Sequence, residues 1–97
     1  MMQSLPVLYL QIELTIPYSQ SLKDKRSVML RAKDRLRNQF NLSVVEAGLQ
    51  DDRQHGVLAM VMVGHNRAQL ERQAEAIERF VQEIVDAEVS DCRREWL

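Results

Sequence analysis

Seven of the thirteen basic residues in this chain fall within fifteen consecutive positions: Lys23, Lys25, Arg26, Arg31, Lys33, Arg35 and Arg37. Only Asp24 and Asp34 interrupt them. Seven cations against two carboxylates leave +5 on this stretch, so the rest of a chain of net charge −1 carries −6. Charge segregated in this way says more about partners than the near-neutral total does. Guanidinium and ammonium groups complement phosphate oxygens, and Arg takes them two at a time. The competing reading is a solvated face that keeps the protein soluble or pairs with acidic residues elsewhere.

The remaining reactive side chains are scattered. His55 and His65 stand alone and do not have the spacing of a metal site. Asp51 and Asp52 are adjacent on a polar stretch, so their carboxylates point apart and do not form an acid–base pair. The single cysteine, Cys92, excludes an internal disulfide and a cysteine-based cluster, and is expected to be a partly buried small residue. Gly64-His65-Asn66 has one glycine and no phosphate-loop pattern. No catalytic residues, cofactor or metal are therefore expected, and the protein is read as non-enzymatic. A weaker third reading is a small enzyme that holds a phosphorylated ligand at Lys23, Lys25 and Arg26.

The elements that position the basic stretch follow from periodicity. Residues 5–16 alternate aliphatic (Leu8, Leu10, Ile12, Leu14, Ile16) and mostly polar positions, the pattern of a half-buried strand that Pro17 ends. Ser21-Leu22-Lys23-Asp24 has the form of a capping box. Met29, Ala32, Leu36 and Phe40 then repeat at helical spacing, with Asn41 as the stop. At 100° per residue Arg26, Lys33 and Arg37 share one flank of this helix, and Arg31 and Arg35 share the other. Residues 42–49 read as a second strand, residues 51–56 as a loop, and the apolar run 57–63 as a third strand. Asn66 and Gln69 cap a second helix whose apolar stripe is Leu70, Ala74, Ile77, Val81 and Ile84, widened by Phe80 and Val85. Residues 88–96 suit a short, charged edge strand.

The order β-α-β-β-α-β predicts a ferredoxin-like α+β sandwich: a four-stranded antiparallel sheet with two helices on one face. The 97 residues form a single domain, 1–97, with one core. No apolar run reaches the length of a membrane span, and the start lacks the basic region of a signal peptide, so a cytoplasmic protein is expected. Aromatic residues are only 5% of the chain, with Tyr9 alone on the first strand and none on the third. Base stacking across the sheet is therefore not expected, and any RNA would be held by its phosphates or shape along the first helix. The second sheet face is expected to be apolar. It would carry Val7 and Tyr9 with either Leu58, Met60 and Met62 or Val57, Ala59, Val61 and Val63 from the third strand. Tyr9, Met60 and Met62 are candidate interface residues, and a homodimer through this face is expected.

Three stretches carry a family resemblance. They are Ser21-Leu22-Lys23-Asp24-Lys25-Arg26, then Asp34 through Glu46 with Phe40-Asn41-Leu42-Ser43 inside it, and the ending Arg94-Glu95-Trp96-Leu97. Together they resemble the YlxP-like proteins, the domain-of-unknown-function family 503 of bacteria. Leu42 departs from the familiar valine. The resemblance implies a ferredoxin-like fold, a bacterial cytoplasmic protein, and gene neighbours in transcription elongation, translation initiation and ribosome maturation. It implies no activity. Among the motif positions, Leu22 and Phe40 have a structural reason to be there, whereas Lys23, Lys25, Arg26 and Arg35 have no evident folding role. The expected function is an accessory protein contacting structured RNA or ribosome-associated factors through the first helix. The alternative is a structural or regulatory module that dimerises through its open sheet face, with no nucleic-acid role.

Overall fold

The computed structural model describes residues 4–84 and 87–97. Strict alternation makes β1 (Val7–Thr15) a two-faced strand. Leu8, Leu10, Ile12 and Leu14 are fully buried, while Val7, Tyr9, Gln11, Glu13 and Thr15 project from the other face. The helix α1 (Leu22–Gln39) starts where expected. The Ser21 hydroxyl accepts the Asp24 N–H at 3.0 Å, and the Asp24 carboxylate reaches back to the Gln20 N–H at 3.2 Å, one residue before the cap. Phe40, not Asn41, is the C-cap; its N–H still bonds the Leu36 carbonyl, and its ring meets Phe80 edge-on at 5.4 Å. The second helix, α2 (Arg67–Ile84), has the same kind of start. The Asn66 side chain accepts from Gln69 N–H, and the Gln69 side chain accepts from His65 N–H.

Strands β2 (Ser43–Glu46), β3 (His55–Val63) and β4 (Glu88–Trp96) complete the sheet in the order β2-β3-β1-β4, with every neighbour antiparallel. This is the ferredoxin-like α+β arrangement that the element order predicts. Met29, Ala32 and Leu36 of α1 and Leu70, Ala74, Ile77 and Val81 of α2 pack on the buried side chains of β1 and β3. Of the expected remainder of this stripe, the side chain of Ile84 and the whole of Val85 lie outside what is described.

Two boundaries differ from the periodicity. The second strand spans four residues, not 42–49, because Gly48 (φ 69°) and Leu49 (φ 54°) turn the chain through consecutive left-handed conformations. The third strand begins at His55, two residues early, because β1 pairs with it as far as Thr15↔His55.

The register also corrects the candidate interface. Leu8 pairs with Met62 and Leu10 with Met60, so both methionines lie beneath the helices and are buried in the core. Tyr9 pairs with Val61 and Val7 with Val63, which assigns the open face to the other alternating set. On that face Val45, Val61 and Val63 are 56%, 39% and 51% exposed, while Val57 and Ala59 are almost covered. Across β1, Asp91, Arg93 and Glu95 of β4 share this face through their pairing with Glu13, Gln11 and Tyr9.

Candidate nucleic-acid interface

A helix that buries one side must expose the rest, and in α1 the exposed part is basic. The buried stripe is Lys25, Met29, Ala32 and Leu36. Arg26, Lys33 and Arg37 stand on the flank beside the edge strand β2. There they line a groove of about 510 Å³ whose opposite wall carries Val44, Glu46 and Asp51. Arg37 is tethered: its guanidinium donates to the Val44 carbonyl at 3.1 Å and lies 3.5 Å from Asp34. Lys33 is half-buried, and Arg26 is exposed. On the opposite flank Arg31 and Arg35, both exposed, border a shallow depression of about 280 Å³ with Ser27, Leu30, Asp34 and Asn38. Lys23 is exposed in the first turn. Six of the seven candidate cations therefore surround the solvent side of one helix.

The seventh does not. Lys25 is fully buried, and its amine donates to the Leu49 carbonyl. It precedes Met29 by four residues and Ala32 by seven, so it occupies the apolar stripe and cannot reach an external phosphate. Its stem runs under the N-terminal turns of α1 across Gly56. A Cβ added at Gly56 would lie 2.6 Å from the Met29 sulfur and 3.5 Å from Lys25 Cε. Lys25 thus has a folding role. It crosslinks the first turn of α1 to the left-handed bend at Gly48 and Leu49, a conformation that costs a bulky residue such as Leu49 about 1–3 kcal/mol.

The rest of the loop 47–54 is fixed by its own polar groups. The Asp52 carboxylate accepts the N–H of Gln54 at 2.8 Å and of His55 at 3.0 Å, and it meets the His55 Nδ1 at 3.0 Å. The Gln54 N–H, followed by the His55 ring, holds the Asp52 carboxyl below the usual carboxylate range. The Gln54 amide donates to the Pro17 and Ser19 carbonyls, both at 3.3 Å. Asp51 and Asp52 serve as rim and loop staple, not as a carboxylate pair. His55 and His65 lie beyond one another at the two ends of β3. Cys92, partly buried opposite Ile12, has its thiol pushed up to about 11 by burial and then by the Glu78 carboxylate, so it stays protonated at neutral pH. Tyr18, 82% exposed in the turn between β1 and α1, is a surface aromatic that sequence periodicity does not single out. Its one sequence signal is its place directly after the strand-ending Pro17.

Most of the chain, basic helix included, matches a known family. Residues 7–94 match the family model described as Protein of unknown function (DUF503). The chain belongs to this family. It is also 34% identical to Uncharacterized protein YlxP of Bacillus subtilis (strain 168) over 76 residues, which cover 78% of this chain and 83% of that protein. The matched segment contains α1, β1, β2, β3 and most of β4, so the basic helix and nearly all of the sheet lie within it. Among the described residues, no helix is long and apolar enough to cross a membrane.

Proposed function

We propose that this DUF503 protein is a non-enzymatic cytoplasmic accessory protein that holds structured RNA, alone or on ribosome-associated particles, against the outer side of α1. The observation that carries this is the placement of exposed and half-buried cations on both flanks of one helix. Arg26, Lys33 and Arg37 face the β2 groove, and Arg31 and Arg35 face the other side. Attraction by phosphates dominates nucleic-acid affinity and needs no catalytic group. Fluorescence anisotropy with a folded RNA, repeated across a salt series, tests it. The expected result is binding that weakens steeply between low and physiological salt, and affinity independent of salt would contradict it.

A second reading rests on a separate observation. Val45, Val61 and Val63 are exposed side by side with Val7 and Tyr9 on the open sheet face. A contiguous apolar patch of this kind is the usual mark of an interface, and a second copy of the chain is its simplest occupant. The two readings use opposite sides of the molecule and are compatible.

A further inference from the structure

The crest of α1 between the two basic flanks carries short hydrogen-bonding side chains. Ser27, Asp34 and Asn38 follow one another at i, i+7 and i+11, within about 40° of a common line along the helix. All three border the same depression as Arg31 and Arg35. Arg26, Lys33 and Arg37 lie about 100° to one side of this line, and Arg31 and Arg35 about 60° to the other. The helix thus presents a polar crest between two cationic rails, with the exposed Leu30 standing between the crest and the Arg26 rail.

From this cross-section, and resting on the RNA reading of α1, we infer that the ligand is double-stranded RNA gripped across its minor groove. The rails take the phosphates of the two strands, and Ser27, Asp34 and Asn38 take the ribose 2′-hydroxyls between them.

Three observations select this ligand. First, Met29, Ala32 and Leu36 sink one side of α1 into the core, so only its outer half, about 5–6 Å of helix, stands proud. It suits the wide, shallow minor groove of A-form RNA, whereas the deep A-form major groove is too narrow to admit it. Second, the centre of the crest is Asp34. A carboxylate only accepts hydrogen bonds and is repelled by phosphate, but it accepts readily from a sugar hydroxyl. Third, binding of single strands draws on a series of aromatic platforms. Among the described residues the only strongly exposed aromatic near α1 is Tyr18.

The test compares three probes in one buffer: an RNA duplex, the DNA duplex of the same sequence, and the single RNA strand. The RNA duplex is expected to bind roughly tenfold or more tightly than either of the others, the gain of two or three hydrogen bonds. Ser27→Ala with Asn38→Ala should bring the RNA and DNA duplexes towards equal affinity and leave the salt dependence of RNA binding unchanged, because no cation is removed. Arg31→Glu should weaken both duplexes. Equal binding of the RNA and DNA duplexes by the parent protein, or tighter binding of the single strand, overturns this inference. If Arg31→Glu still weakens that binding, the reading of α1 as an RNA-binding helix survives. Binding of none of the three probes overturns both.

Discussion

Replacing Lys25 by Glu is expected to destabilise the protein strongly, while the same substitution two residues away at Lys23 is expected to be silent. Lys25 is fully buried, and its amine faces the carbonyl of Leu49, not a carboxylate. A glutamate there sets a carboxylate against a carbonyl oxygen with no donor to satisfy it. Leaving a buried charge uncompensated costs about 3–5 kcal/mol. A domain of this size has on the order of 5–15 kcal/mol in total. The melting temperature should therefore fall by roughly 12 °C or more, at about 4–8 °C per kcal/mol. Lys23 is exposed in the first turn of α1, where an acidic side chain suits the helix dipole, and Lys23→Glu should stay within about 0.5 kcal/mol of the parent. Lys25→Met keeps the stem over Gly56 and loses only the hydrogen bond, so it should cost about 1–3 kcal/mol. That loss should centre on the loop 47–54, read as faster amide exchange there. Denaturant unfolding of the three variants is the assay. If Lys25→Glu is as stable as Lys23→Glu, the burial of Lys25 and its role as a crosslink are wrong.

Asp52 gives a pH signature. Its folded carboxyl titrates below its ordinary value of 3.8, so it stabilises the fold fully above that value and loses its contribution as pH falls through the folded pKa. The stability gap between parent and Asp52→Asn should narrow as pH falls below about 4; a gap that widens in acid would contradict the loop geometry. Cys92, with its thiol pushed up to about 11, should alkylate slowly at pH 8 and keep accelerating beyond pH 10; a rate that levels off near pH 9 would show an exposed, ordinary thiol. For the open sheet face, sedimentation equilibrium should find a dimer of the 11.3 kDa chain, with Val61→Asp shifting it to monomer. A monomeric parent at high micromolar concentration would leave the valine patch without this partner.

Element order and core were legible in the sequence wherever one periodicity prevailed. Strict alternation in residues 7–15 and 3–4 spacing in both helices leave a single assignment of faces. The run 57–63 is different: it is apolar on both faces, so period two identifies a strand but cannot say which side meets the helices. Only pairing with β1 through Leu8↔Met62 and Tyr9↔Val61 decides it, and that decision moves Met60 and Met62 from interface to core. The second strand looked longer because Ala47 and Leu49 continue its apolar pattern, while the turn that ends it depends on positive φ at a leucine, which has no compositional signal. Lys25 is hidden for another reason. Its spacing to Met29 and Ala32 places it on the buried stripe, but the acceptor that makes a buried amine tolerable lies 24 residues away in sequence, where no local pattern shows it. The two basic flanks of α1 needed only the 100° helical step and a known buried face.

Charge reversal on α1 alone tests most directly whether this helix binds RNA. Lys23, Arg26, Arg31 and Arg35 are exposed, whereas Lys25, Lys33 and Arg37 are buried, half-buried or tethered to Val44, so the four can be changed to Glu with the fold intact. Arg72 and Arg79, exposed on α2, are the control pair. Affinity for a structured RNA is measured against salt for the parent and both variants. The α1 variant is expected to lose orders of magnitude in affinity, with the salt slope falling by about one for each phosphate contact removed, while the α2 variant binds within a few-fold of the parent. A folded α1 variant that binds as the parent does, or a parent that binds no RNA even at low salt, would contradict RNA binding by α1.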